Sequence, residues 1–221
     1  MRFVDDRKRI SAAVIVWMSL ATAAYAQTAA RPASSTTDTG YAEFFAQSAF
    51  GNVTSQAYGA EVGFSVKPAL QVFGEFGWVR NTAGDALSAS AQTIASGIAA
   101  AAGNASYEVR QPVTFGTGGV RYSVPVEQSR FLPYVLAGLG VAAVKKDVTF
   151  STTAGDVSQF ATIGTDLSGT ETKAMISLGA GVGFPVGDMV IIDVQYRYGH
   201  VFTSDQGLNI NRAGVGLGVR F

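Results

Sequence analysis

Read in steps of two, the end of the chain splits into two faces. Ala213, Val215, Leu217, Val219 and Phe221 fall on one side, and Arg212, Gly214, Gly216, Gly218 and Arg220 on the other. A period of two places successive side chains on opposite faces of a strand. The same alternation recurs upstream. Ile192, Val194, Tyr196 and Tyr198 oppose Asp193, Gln195, Arg197 and Gly199; Ala60, Val62 and Phe64 oppose Glu61, Gly63 and Ser65; Leu70, Val72, Phe76 and Trp78 oppose Gln71, Glu75 and Gly77. Weaker alternation over Tyr41–Phe50, Val113–Val124, Phe131–Val144 and Lys173–Phe184 completes a set of eight strands.

Soluble sandwiches alternate too, so the connections decide. Lys67-Pro68, Pro125–Arg130 and Pro185–Asp188 are tight, whereas Asn81–Pro112 and Lys145–Thr172 are long and fall on one side. Short turns at one end and long loops at the other are the plan of an outer-membrane barrel, with an even strand count and both termini periplasmic. Segments of about 9–14 residues suit strands that cross a bilayer with tilt. With the first strand running outward, the outward aromatics sort by height. Phe64, Tyr122, Phe131, Phe184 and Phe221 lie near the periplasmic rim, and Phe50, Tyr58, Trp78 and Tyr198 near the external one. Two aromatic girdles flanking an apolar band mark the two membrane interfaces. The expected fold is therefore all-β: an eight-stranded antiparallel transmembrane β-barrel with long external loops and short periplasmic turns. A soluble lipocalin-like barrel is the alternative, and it would turn its apolar face inward.

The N-terminus reads as an address. Arg2, Arg7, Lys8 and Arg9 precede an apolar stretch from Ile10 to about Ala24, and Ala24-Tyr25-Ala26 offers a cleavage site. That is the order of a secretory signal peptide, expected over residues 1–26. Residues 27–40 (QTAARPASSTTDTG) read as a flexible leader, and 41–221 as the barrel domain. Cleavage near Ala26 leaves 12 basic and 14 acidic residues, a net charge of −2. Near-neutral charge argues against a nucleic-acid partner.

Composition narrows the chemistry further. The chain has no cysteine and one histidine, which excludes disulfides, thiolate metal sites, cysteine nucleophiles and multi-histidine centres. No cofactor, metal site or catalytic residue is expected. Gly138-Leu139-Gly140 and Gly179-Ala180-Gly181-Val182-Gly183 lie within strands, whereas a dinucleotide loop needs a strand-to-helix turn. They read as interior spacers. Only 14% of residues are charged, and the alternation turns many of these inward: Glu43, Glu61, Glu75, Asp193, Lys67, Arg121, Arg197, Arg212 and Arg220. An arginine facing lipid at the midplane costs about 2–4 kcal/mol. Unpaired charge in a narrow lumen is costly as well. The expectation is an interior ionic cluster of Glu43, Asp193, Arg121 and Arg220, with Glu61 and Glu75 meeting Arg197 higher up and Arg212 also inside. If that cluster gates a pore, Glu75→Ala or Arg197→Ala raises conductance.

Within the first long loop, Leu87, Ala91, Ile94, Ile98 and Ala101 recur at helical spacing across Asp85–Ala102, and Gly103 supplies a stop. A short amphipathic helix on the rim, on the outer leaflet or over the lumen is one reading. A low-complexity Ala/Ser loop is the other, since short isolated helices are marginal.

Together these segments resemble the small outer-membrane β-barrel family that groups opacity-type surface antigens with the membrane domain of the outer-membrane protein A type. The resemblance runs over about Tyr41–Phe221. It rests on Pro133-Tyr134-Val135-x-x-Gly138-x-Gly140, Gly179-x-Gly181, Asp193-x-x-Tyr196-Arg197-Tyr198 and the closing Gly-x-Gly-x-Arg-Phe. It implies that Phe221 serves as the assembly signal read by the barrel-assembly machinery. It also implies contact with outer-membrane lipid and lipopolysaccharide, in a Gram-negative outer membrane. Members are often labelled porin-like; no peptidoglycan-binding domain follows Phe221, so no cell-wall tether is expected. The expected function is a non-enzymatic envelope or surface protein that meets external ligands through loops 81–112 and 145–172. A narrow solute or ion channel is the alternative. A lipid-modifying enzyme is disfavoured: such deacylases carry His-x-Ser, and here Phe202 stands two residues after His200, with Ser204 four residues on.

Overall fold

The computed structural model describes residues 39–126, 129–152, 155–156, 168–204 and 207–221. The expected signal peptide and most of the leader lie outside these residues. Among the described residues, eight strands form the wall: β1 (Gly40–Phe50), β2 (Ser55–Lys67), β3 (Leu70–Val79), β5 (Val113–Ser123), β6 (Leu132–Thr152), β8 (Gly169–Val186), β9 (Val190–Val201) and β10 (Leu208–Arg220). Between them lie α1 (Asp85–Ala102), β4 (Ser106–Arg110) and the two-residue β7 (Gly155–Asp156). The first strand takes in Gly40, which the sequence pattern assigns to the leader.

Each wall strand pairs antiparallel with its neighbour, and β1 pairs with β10 from Tyr41–Arg220 to Phe50–Asn211. Pairing of β5 with β6, β6 with β8, β8 with β9 and β9 with β10 completes the circuit. Closure leaves no unpaired edge in the lipid, which a spanning sheet requires. The seam is tied at its periplasmic end, where the Gly40 amide donates to the Phe221 carbonyl at 2.9 Å and the Phe221 amide donates back at 3.0 Å.

The outside is apolar. Phe44 (78% exposed), Leu139, Phe76 and Leu217 form a mid-height belt, with Val62, Val72, Val120, Val141 and Val215 among them. This rules out the lipocalin-like arrangement, because the large apolar side chains cover the exterior. Ring pairs stand at the rims: Phe64–Phe221 and Phe131–Phe184 at the periplasmic end, and Phe50–Tyr196 at the external end.

The strands β6 and β8 run past the membrane wall on the external side. Part of the expected loop 145–172 instead continues β6 to Thr152, and β4 pairs with Asp147–Ser151 of it. Residues 153–154 and 157–167 of that loop lie outside the described residues. The Asp85–Ala102 segment is helical. Ala91 and Ala95 are buried against Val148 and Phe150, with Leu87, Ile94, Ile98 and Val109 packed around them. Val148 and Phe150 share the parity of the lumen-facing Val144, so α1 lies on the inner face of this extension. That contact supplies the stabilisation an isolated helix of this length lacks.

Candidate functional site: the sealed lumen and the external annex

Two layers fill the barrel. The external half is apolar: Val79, Val113, Val144, Met175 and Val201 are completely or almost completely buried, with Ala57, Phe115 and Ile210 beside them. The sequence pattern points to an ionic interior and misses this layer. Its only sequence signal is the occurrence of valines at inward parity near the external strand ends.

Below it lies the ionic layer. Arg212 Nη1 donates to Glu75 Oε1 at 2.9 Å and to Gln47 Oε1 at 3.2 Å. Thr117 Oγ1 donates to Glu75 Oε2 at 3.1 Å. Arg197 bonds Glu61, stands 3.8 Å from Glu75, and donates through Nε to Gln195 Oε1 at 2.8 Å. Arg121 donates to Asp193 Oδ2 at 3.2 Å and lies 3.8 Å from Glu61. Tyr41 donates to Glu61, and Tyr134 donates to Asp193 Oδ1 at 3.0 Å. The Arg121 guanidinium is sandwiched between the Tyr134 ring at 3.5 Å and the Tyr41 ring at 4.7 Å. Arg212 lies 4.3 Å from the Phe115 ring, joining the two layers. Charged groups this deep need partners in place of water. Carboxylates, amides and aromatic faces supply many of them, while Glu43 Oε2, Arg121 Nε and Arg212 Nε and Nη2 are buried with no hydrogen-bond partner.

The sequence-predicted residues separate into three groups. Glu61, Glu75, Asp193, Arg121, Arg197 and Arg212 are buried in one network. Glu43 is buried beside it, but its partner is an amide: Gln195 Nε2 donates to Glu43 Oε1 at 3.0 Å. The expected pairing of Glu43 with Arg220 is corrected, since Arg220 Nη2 reaches the Gly187 and Asp188 carbonyls at 3.3 Å in the β8–β9 turn. Being close to the strand end, its long side chain spans more easily to the turn carbonyls than into the packed interior. Lys67 is exposed at the periplasmic end of β2, because the register shift between Ser65 and Lys67 breaks the inward alternation there.

Glycine lets these long side chains fit. A Cβ at Gly63 would overlap the Tyr41 ring, one at Gly181 would overlap Tyr134 Oη, and one at Gly179 would come within 2.7 Å of Arg197 Cδ. Gly63, Gly179 and Gly181 are thus sockets for Tyr41, Arg197 and Tyr134.

At the external rim, His200 Nδ1 and Tyr198 Oη both meet Asn209 Oδ1, at 2.6 and 2.8 Å. Ser204 Oγ accepts from Lys173 Nζ at 2.6 Å, and Lys173 also lies 3.5 Å from Glu171. The geometry thus gives Ser204 an ammonium partner and His200 an amide.

An antiparallel barrel with an apolar belt, aromatic rims, a charged interior and its long connections at one end is a transmembrane β-barrel of the outer-membrane type. The chain belongs to the family described as outer membrane protein beta-barrel domain, which matches it over residues 12–221. It is thereby a protein of the Gram-negative outer membrane. Among solved structures it is similar to Neisserial surface protein A (NspA), at 13% identity and TM-score 0.52, covering 82% of this chain and 96% of that one. It is also similar to a major outer membrane protein from Thermus thermophilus, at 9% identity and TM-score 0.53, covering 81% of this chain and 99% of that one. No curated protein matches the chain by sequence.

Proposed function

We propose that this protein is a non-enzymatic surface protein of the outer membrane, a rigid barrel that presents its external annex to the surroundings. The observation that supports this reading most is the sealed lumen. An apolar layer of Val79, Val113, Val144, Met175 and Val201 stands above an ionic layer built on Arg197, Arg212 and Glu75. Eight strands enclose a space just wide enough for side chains to fill, and here side chains fill it. The alternative of a narrow channel would need both layers to move. The annex of α1, β4 and the outer part of β6 has its own apolar core, so it is a preformed surface for an external ligand. Phe221 is exposed at the periplasmic rim, which supports the assembly-signal role that the family resemblance implies.

The test has two readouts on the mature protein. In planar bilayers the wild-type barrel shows no unitary current steps; regular steps would overturn the surface-protein reading in favour of the channel. On intact cells, protease cleaves or antibodies label the annex around Tyr107; an annex inaccessible from outside would overturn the proposal equally.

A further inference from the structure

The charges inside the barrel are unequal in number. Among the described residues, four buried carboxylates (Glu43, Glu61, Glu75 and Asp193) share the lumen with three buried guanidiniums (Arg121, Arg197 and Arg212). Arg220 is not a fourth, because it donates to the Gly187 and Asp188 carbonyls of the periplasmic turn. Fully ionised, the sealed space would hold one surplus negative charge. An uncompensated charge enclosed by a wall that faces lipid is costly, and a buried acid is readily neutralised by a proton instead.

The guanidiniums show where the surplus falls. Arg121 is bound to Asp193 and stands near Glu61, Arg197 lies between Glu61 and Glu75, and Arg212 is bound to Glu75. Among the described residues, Glu43 forms no ion pair with any of the three. Strand register sets its surroundings. On β2 its partner is Glu61. On β10 its partner is Gly218, and its carboxyl leans over Gly216, where a Cβ would lie 3.0 Å from Glu43 Oε1. Gly216 in turn pairs with Asp193 on β9. One carboxylate therefore flanks Glu43 on each side, and like charges so placed repel. The other ionisable neighbours are already engaged: Arg121 on β5 with Asp193, Arg197 on β9 with Glu61, Tyr41 on β1 with Glu61, and Tyr134 on β6 with Asp193.

One hydrogen bond fixes which oxygen is left over. Arg197 Nε donates to Gln195 Oε1 at 2.8 Å, so the Gln195 amide turns its amino group to Glu43, where Nε2 donates to Oε1 at 3.0 Å. Glu43 Oε2 is buried with no hydrogen-bond partner. A charged oxygen is poorly kept in that position, whereas a carboxyl O–H carries no charge there.

We propose that the lumen binds one proton, held on Glu43 Oε2, so that Glu43 is the neutral carboxylic acid of an otherwise ionised network. The sealed interior then has no net charge. The site suits a proton and not a metal ion, which needs several converging oxygen ligands. Among the described residues, no group of three or more acidic or histidine side chains is placed to hold a metal. This goes beyond the surface-protein reading and is independent of what the annex binds.

The test is infrared spectroscopy of the full mature chain refolded in an ester-free detergent at neutral pH, with heat-modifiable migration on a gel as the check of folding. A protonated carboxyl gives a C=O stretch above the amide I band, and ionised carboxylates do not. The expected spectrum has one such band per barrel. It moves down after refolding in heavy water, is absent from folded E43Q, and is unchanged in folded E108Q on the annex. Glutamate labelled with heavy carbon needs no substitution and decides the assignment should E43Q fail to fold. That label is expected to shift the band, and labelled aspartate to leave it in place. A folded wild-type barrel without the band would overturn the proposal. Persistence of the band in folded E43Q, or its shift by labelled aspartate, would put the proton on another carboxyl and overturn it equally.

Discussion

The Arg212 guanidinium donates to Glu75 at 2.9 Å across the lumen, and neither side chain has any exposed surface. Removing one member of such a buried pair strands the other's charge, at a cost of about 3–5 kcal/mol. Glu75→Leu is therefore expected to destabilise the barrel by that order. The double change Glu75→Leu/Arg212→Met is expected to cost less than Glu75→Leu alone. Reversible urea unfolding from lipid vesicles measures both, and a double variant worse than the single would refute the pairing argument.

Two layers in series lead to a specific expectation for conductance. Arg197→Ala opens space in the ionic layer, yet Val113, Val144, Met175 and Val201 still close the external half. Arg197→Ala by itself should leave the barrel silent in planar bilayers. Adding Phe115→Ala and Met175→Ala should produce current steps. If Arg197→Ala alone conducts, the apolar layer is not a seal.

The outer belt makes its own demand. Phe44 is 78% exposed near the middle of β1 and faces lipid. Phe44→Arg is expected to destabilise insertion by about 2–4 kcal/mol, while Phe44→Leu stays near neutral. Comparison of the urea midpoints of the two variants checks this, and equal midpoints would place Phe44 outside the membrane.

Glycines of the wall should divide by what surrounds them. A Cβ at Gly140 would overlap the Gly116 carbonyl oxygen, and one at Gly59 would overlap the Phe76 carbonyl oxygen. At Gly74 it would meet nothing within 4 Å. Overpacking typically costs about 1–3 kcal/mol, so Gly140→Ala and Gly59→Ala are expected to lose that much. Gly74→Ala is expected to be neutral or slightly stabilising. The heat needed to abolish the folded band on a gel ranks the three.

The annex can be loosened without disturbing the barrel. Ala91 is fully buried between α1 and the β6 extension. Ala91→Asp buries a carboxylate there and should undock α1. Limited proteolysis then cuts within residues 85–110 far faster than in wild type, while the barrel keeps its heat-modifiable migration. Unchanged cleavage would mean that the helix is not held by that contact.

By itself the sequence determined the wall of this protein. Strand alternation is a local property with a period of two, so Val215 and Leu217 against Gly214 and Gly216 already specify which face meets lipid. Connection lengths did the same for which end is external. The lumen was only half legible. That Glu61, Arg121, Arg197 and Arg212 point inward follows from parity, but which carboxylate meets which guanidinium depends on the stagger of strands distant in sequence, such as β3 and β10. Parity therefore could not send Arg220 to the turn carbonyls or give Glu43 an amide partner. The apolar layer was hidden because parity turns Val79, Val113, Val144 and Val201 inward one strand at a time, and only closure of the barrel brings them to one height. For α1, helical spacing was visible in the sequence, but the residues that hold it, Val148 and Phe150, lay in a segment that reads as a polar loop. Only the tertiary structure decided these points, because each depends on contacts between residues far apart in the chain, whereas the wall depends on neighbours two residues away.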